Sequence, residues 1–257
     1  MRMPAVAARA PILGEELSRL SRDDHRRLEQ ITWILRQEVR RDPNDMTALI
    51  ALTEALSLGG HLEELTACAH RAYLHLKSLP VWLQTNLLFF TVAIGAHDEA
   101  NSGIEALLSR TALSLDEKSR VHTLGTAAAL RFGDLGLLSK IAEISAEDSG
   151  ANQSLRFIAS AKLDPWWQRQ QQAVEAALGR NTTHFLCTLQ TDADLTTRLI
   201  LHYYTDAAPF TALDRLQERV DDALERVYSG HPEGVAAILD TIIIAVHRPF
   251  IPSPESP

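Results

Sequence analysis

The chain has 257 residues, 46% apolar and 23% charged, an ordinary globular composition with room for one sizeable core or two modest ones. Its formal charge of −8 argues against nucleic acid as the main partner, since phosphate binding needs a net basic face. The two cysteines, Cys68 and Cys187, suit a reducing compartment, and residues 1–13 are too short and too broken by Arg9 for a secretory leader, so the expected location is the cytoplasm.

The first predicted helix starts near Ser21, with Asp23 and Asp24 in its first turn, and carries Leu28, Ile31, Ile34, Leu35 and Val39 as one apolar stripe through about Arg41. Its arginines (Arg22, Arg26, Arg27, Arg36, Arg40 and Arg41) are interleaved with Asp23, Asp24, Glu29 and Glu38. That pattern reads as an exposed, ion-paired face, and a nucleic-acid stripe is the poorer reading. Asp42-Pro43 ends this helix and opens the next.

From there Ala48, Leu49, Leu52, Ala55 and Leu56 fall at helical spacing, followed by Gly59-Gly60 and then by Leu62, Leu65, Ala69 and Ala72. Small residues let two antiparallel helices approach closely, and a glycine ends the first in the left-handed conformation. Gly60, Gly95 and Gly133 each close such an apolar segment, 35 and 38 residues apart, near the period of about 34 of helix–turn–helix repeats. Residues 81–96 and 116–132 read as the first helices of two further hairpins. Ile104, Leu107 and Leu108 lie on the partner of one, and Leu135, Leu138, Ile141 and Ile144 on the partner of the other.

On these residues the chain resembles tetratricopeptide repeat proteins, specifically over about residues 42–79 and more loosely over 14–145. It departs from the family at Leu49, Thr53 and Leu65, where tryptophan, glycine and alanine are common. The resemblance implies an array of helical hairpins whose first helices line a groove that takes protein segments, with no cofactor. A non-repeating helical bundle is the alternative.

A polar stretch at 145–152 marks a loop, and two helices are predicted over about 153–162 and from Asp164-Pro165 to Leu178, ended by Gly179. After that the period changes. Residues 184–189 and 197–204 are rich in strand formers around a polar turn, 210–228 is an amphipathic helix, and 238–246 is a buried strand. The expected fold is mostly α: a TPR-like antiparallel helical-hairpin array over 14–179, then a small α+β unit of β-β-α-β order over 180–248. Residues 249–257 form a proline-rich tail expected to be disordered.

No phosphate loop, dinucleotide fingerprint, nucleophile elbow or zincin helix is present. The leading function is therefore a non-enzymatic adaptor, scaffold or chaperone-like module. It would bind one or more protein partners, one encoded nearby included, through the groove, without nucleic acid, membrane or metal; the oligomeric state is open. The candidate partner-binding residues are Glu54, Asn86 and Arg120 on groove helices and Phe90 on the Asn86 face, with a core role for Phe90 weighed equally. Trp166 and Trp167 point about 100° apart on their helix. One is expected in the core and the other in a seam between the two units or toward a partner. The alternative is an enzyme with a metal site on the C-terminal sheet, where His184, His202 and His247 fall one on each predicted strand beside Tyr204.

Overall fold

The computed structural model describes residues 9–20, 24–179, 182–191, 197–205, 210–229 and 242–248. The described chain is mostly helical with a small C-terminal sheet. Its helices are α1 (Arg9–Leu17), α2 (His25–Arg41), α3 (Met46–Gly59), α4 (Leu62–Tyr73), α5 (Val81–Ala93), α6 (His97–Leu108), α7 (Leu115–Phe132), α8 (Leu135–Ile144), α9 (Gly150–Ser160) and α10 (Asp164–Leu178). Then come β1 (Thr182–Thr191), β2 (Thr197–Thr205), α11 (Phe210–Tyr228) and β3 (Ile242–His247).

The three turn glycines are left-handed, with φ of 73° at Gly60, 72° at Gly95 and 75° at Gly133. At each turn the amide of the residue after the glycine reaches back into the last turn of the helix. His61 N donates to Leu56 O, Ala96 N to Thr91 O and Asp134 N to Ala129 O, each at 2.9 Å. The turns fold α3 onto α4, α5 onto α6 and α7 onto α8. Small residues set the depth of packing: a Cβ on Gly103 of α6 would come within 2.4 Å of Leu88 on α5. Ala72 and Leu52, expected to face each other's helices, are 0% and 2% exposed.

The turn between α9 and α10 has the same hydrogen bonds without a glycine. Leu163 N donates to Ile158 O and Lys162 N to Ala159 O, and Lys162 takes φ 55°. A lysine Cβ is strained in that region, so this turn has no glycine signature in the sequence.

The first helices of the hairpins stack side by side, α3 on α5, α5 on α7 and α7 on α9, and α1 packs on α3 at the other end of the row. The ion-paired face of α2 reaches outward from its own helix: Arg27 binds Glu16 of α1 and Arg36 forks onto Glu64 of α4. α1 lies where no helix was expected, and its short apolar set, Ala10, Leu13 and Leu17, is buried. The Ser21 helix start and the tail 249–257 lie outside the described residues.

The sheet has the order β1-β2-β3, with β1 antiparallel to β2 and β3 parallel to it. The β-β-α-β sequence of elements is as expected. β3 is described from Ile242, and residues 238–241 and the hairpin turn 192–196 are outside the described set. One face of the sheet alternates inward with Phe185, Leu199, Leu201, Tyr203, Ile242, Ile244 and Val246, all buried. These residues continue the helical core as one cluster that runs from Ala10 to Val246. β1 lies across α3, α5 and α7. It is anchored by Ser57 Oγ, which donates to Thr183 O at 2.7 Å.

The α9–α10 turn yields a direct test. Lys162→Gly should stabilise the chain by about 0.5–1 kcal/mol, because relief of left-handed strain outweighs the added freedom of the unfolded chain. Urea unfolding should show a higher midpoint with an unchanged slope. A lower midpoint would contradict the left-handed turn.

Candidate functional site

The first helices expected to line a groove carry the chain's own strand. β1 crosses α3, α5 and α7, and Arg131 of α7 packs against it. The guanidinium, 1% exposed, donates from Nη1 to Ala93 O at 2.5 Å and from Nε to Glu175 Oε1 of α10 at 2.8 Å. It also stands 5.5 Å from the ring centroids of both Phe185 and Tyr203. Phe90 is 8% exposed and belongs to the core beneath this strand. Asn86 is half-buried on α5, and Arg120 points outward from α7, paired with Asp116 at 3.1 Å. Trp167 is fully buried, while Trp166 fills the seam between α10 and α11, its ring 5.9 Å from Tyr228. The structure therefore brings these candidates to no common surface.

Glu54 on α3 is the exceptional member of that set. It is largely buried and has no hydrogen bond or ion pair among the described residues, and desolvation alone lifts its pKa from 4.5 to about 7. One turn further along α3, Ser57 Oγ stands 3.4 Å from His184 Nδ1, and burial with the nearby Arg131 charge lowers the His184 pKa to about 4.

The three strand histidines do share a sheet face. His202 Nδ1 and His247 Nε2 lie 2.9 Å apart, and the Tyr204 ring stands between His247 and His184, 5.0 and 5.6 Å away. Among the described residues no three His, Cys, Asp or Glu side chains are arranged to hold a metal ion. The outer edge of β3 is closed by α11: Gln217 Nε2 donates to Ile244 O and its Oε1 accepts from Val246 N, at 3.1 and 3.0 Å. A side-chain amide thus takes the place of a neighbouring strand.

What stays open is a cleft of about 790 Å³ beyond the closed part of the groove. That volume is within the range of small-molecule and peptide sites, roughly 300–1,000 Å³. One wall is a polar stripe on α7, with Ser119, His122, Thr123 and Thr126 at helical spacing and Lys118 at its start. The opposite wall is the loop after α8 and the first turn of α9, including Ser145, Ser149, Gly150 and Ser154. The end of the sheet supplies Cys187, Leu189 and Leu199. Leu115 and Ile144 stand at the rim, 86% and 57% exposed. The alternation of Ser119, His122, Thr123 and Thr126 on one helix face was the available sequence signal for this site.

Ser145 Oγ and His122 Nδ1 are 2.9 Å apart, but no carboxylate lines the cleft to orient the imidazole as a base. Burial, reinforced by Lys118, lowers the His122 pKa, so the ring is neutral at pH 7. Burial pushes the Cys187 thiol up to about 11, which keeps it protonated and a poor nucleophile.

Glu54 makes the seam pH-sensitive. The folded state keeps the proton between pH 4.5 and 7 where the unfolded state loses it, so stability falls as pH rises through that window. Glu54→Gln should therefore stabilise the chain by about 1–3 kcal/mol at pH 8 and by little at pH 4.5. His184 has the opposite slope, losing stability as pH falls from 6.5 to 4, but it is present in both proteins and cancels in their difference. Denaturant unfolding of the two proteins at both pH values measures this. An equal effect at the two values would place Glu54 in water.

No helix among the described residues is long and apolar enough to cross a membrane. Compared with known proteins, the chain matches no family model, no curated protein and no solved structure.

Proposed function

We propose that the chain is a TPR-like binding module, non-enzymatic, that recruits a protein partner as an adaptor or assembly factor. The carrying observation is the seat of β1: the row of first helices holds an extended segment across it, as a repeat array would hold a partner segment. The left-handed glycine turns at intervals of 35 and 38 residues agree with this reading. Because the chain's own strand fills the groove over α3, α5 and α7, the partner surface is assigned to its open end. There the exposed Leu115 and Ile144 flank the cleft beside the last residues of β1. Large apolar side chains left exposed beside a concavity mark a surface for protein contact.

A second reading, an enzyme working on the histidine-bearing sheet face, draws on the short His202–His247 contact. Stoichiometric zinc or manganese in the purified full chain would favour it.

The partner reading is tested by site-specific photo-crosslinking in the native host from position 119, inside the cleft. One defined protein should be captured, and Leu115→Asp with Ile144→Asp should weaken its binding about tenfold or more while the unfolding midpoint stays nearly unchanged. Capture that survives the double variant would overturn the assignment.

A further inference from the structure

The charge of the cleft is opposite to that of the molecule. The chain carries −8 overall, yet Lys118 lines the cleft and no Asp or Glu does, although Glu143, Glu147 and Asp148 lie in the neighbouring sequence. The absence of any carboxylate from a site of this size in an acidic protein leaves it complementary to an anion.

Its donors are also uncommitted. Ser154 is 4% exposed, lines the cleft, and its hydroxyl has no hydrogen-bond partner among the described residues. The side chain is otherwise enclosed, so its hydroxyl is free to pair with water or a ligand in the cleft. Ser149 caps α9 by accepting from Asn152 N at 3.3 Å, so its own hydroxyl hydrogen remains available. The first-turn amides of Gly150 and Ala151 have no carbonyl to bond within the helix. Space around Gly150 is open, with nothing within 4 Å of where a Cβ would stand. By contrast Thr123 and Thr126 donate to the carbonyls of Ser119 and His122, so they shape the wall and give no donor.

The geometry points to a binding site for a small phosphate-bearing molecule in this cleft. The phosphoryl oxygens sit between Lys118 and the start of α9 and accept from Ser149, Ser154 and the adjacent amides. Lys118 supplies the charge, and the buried hydroxyl together with the helix start supplies direction. Neutral His122, hydrogen-bonded to Ser145, forms the floor between them. This assignment goes beyond the partner reading and requires no protein partner.

Inorganic phosphate is the probe, titrated at constant ionic strength into the isotope-labelled full chain and followed by NMR. The expected result is a saturable change at the His122 ring and at the amides of Gly150, Ala151 and Ser154, with a dissociation constant in the millimolar range. Lys118→Ala should weaken it about tenfold and Ser154→Ala about fivefold. Lys140→Ala, which removes an exposed lysine 3.6 Å from Glu105 outside the cleft, should leave it unchanged. Changes that fail to saturate, that spread over the surface, or that persist undiminished in Lys118→Ala overturn the assignment. Those failures would leave photo-capture from position 119 as it stands, and loss of that capture would leave phosphate binding as it stands.

Discussion

The architecture depends on one buried cation. Arg131 sits where four structural units meet, and each supplies part of its solvation: the last turn of α5 through the Ala93 carbonyl, α10 through Glu175, and β1 and β2 through the faces of Phe185 and Tyr203. A guanidinium taken out of water is tolerated only when its partners are complete. The carbonyl at the end of α5 lies at the negative pole of that helix, which favours the cation further. Room for the pair exists because residue 95 is glycine, where a Cβ would lie 3.2 Å from Glu175 Oε2. The same guanidinium thus sets the register of the helical row, the position of α10 and the seat of the sheet.

Because β1 is held in this way, it covers part of α3, α5 and α7, and the open cleft lies beyond it, between α7, α9 and the end of the sheet. Polar groups trapped in the closed part, Glu54 and His184, are shifted in pKa by loss of water and not by chemistry between them. At the open end the walls are hydroxyls, one neutral imidazole and one lysine, with apolar side chains at the rim. The two regions differ in the same property: in one the chain satisfies its own inner face, and in the other it leaves donors and apolar surface for something else.

Much of the helical part was legible because its signals are local. A left-handed turn needs glycine, and the amphipathic stripe of α11 gives both of its ends, Phe210 and Tyr228, in the sequence itself. Where the local rule is broken the signal fails: Lys162 makes the same turn without glycine, and α1 is too short for its buried Ala10, Leu13 and Leu17 to stand out as a stripe. The docking of the sheet was not legible, because it rests on contacts between distant segments. Arg131 reads in sequence as an ordinary cation in the last turn of a helix, and nothing local marks it as 1% exposed. For the same reason Phe90 reads equally as groove or core until β1 is in place. The cleft lies between, since its α7 stripe is local while its closure by α9 and the end of the sheet is not.

The central claim is that the chain's own strand packs across the row of first helices. Hydrogen exchange of the β1 amides from Phe185 to Thr188 in the full chain measures it most directly. The account predicts protection comparable with the core amides of α5 and α7, and preferential loss of that protection in β1 when Arg131→Met removes the anchoring charge. Exchange of these β1 amides at the rate of a solvated segment in the wild-type chain, with α5 and α7 still protected, would show an open groove and contradict the account.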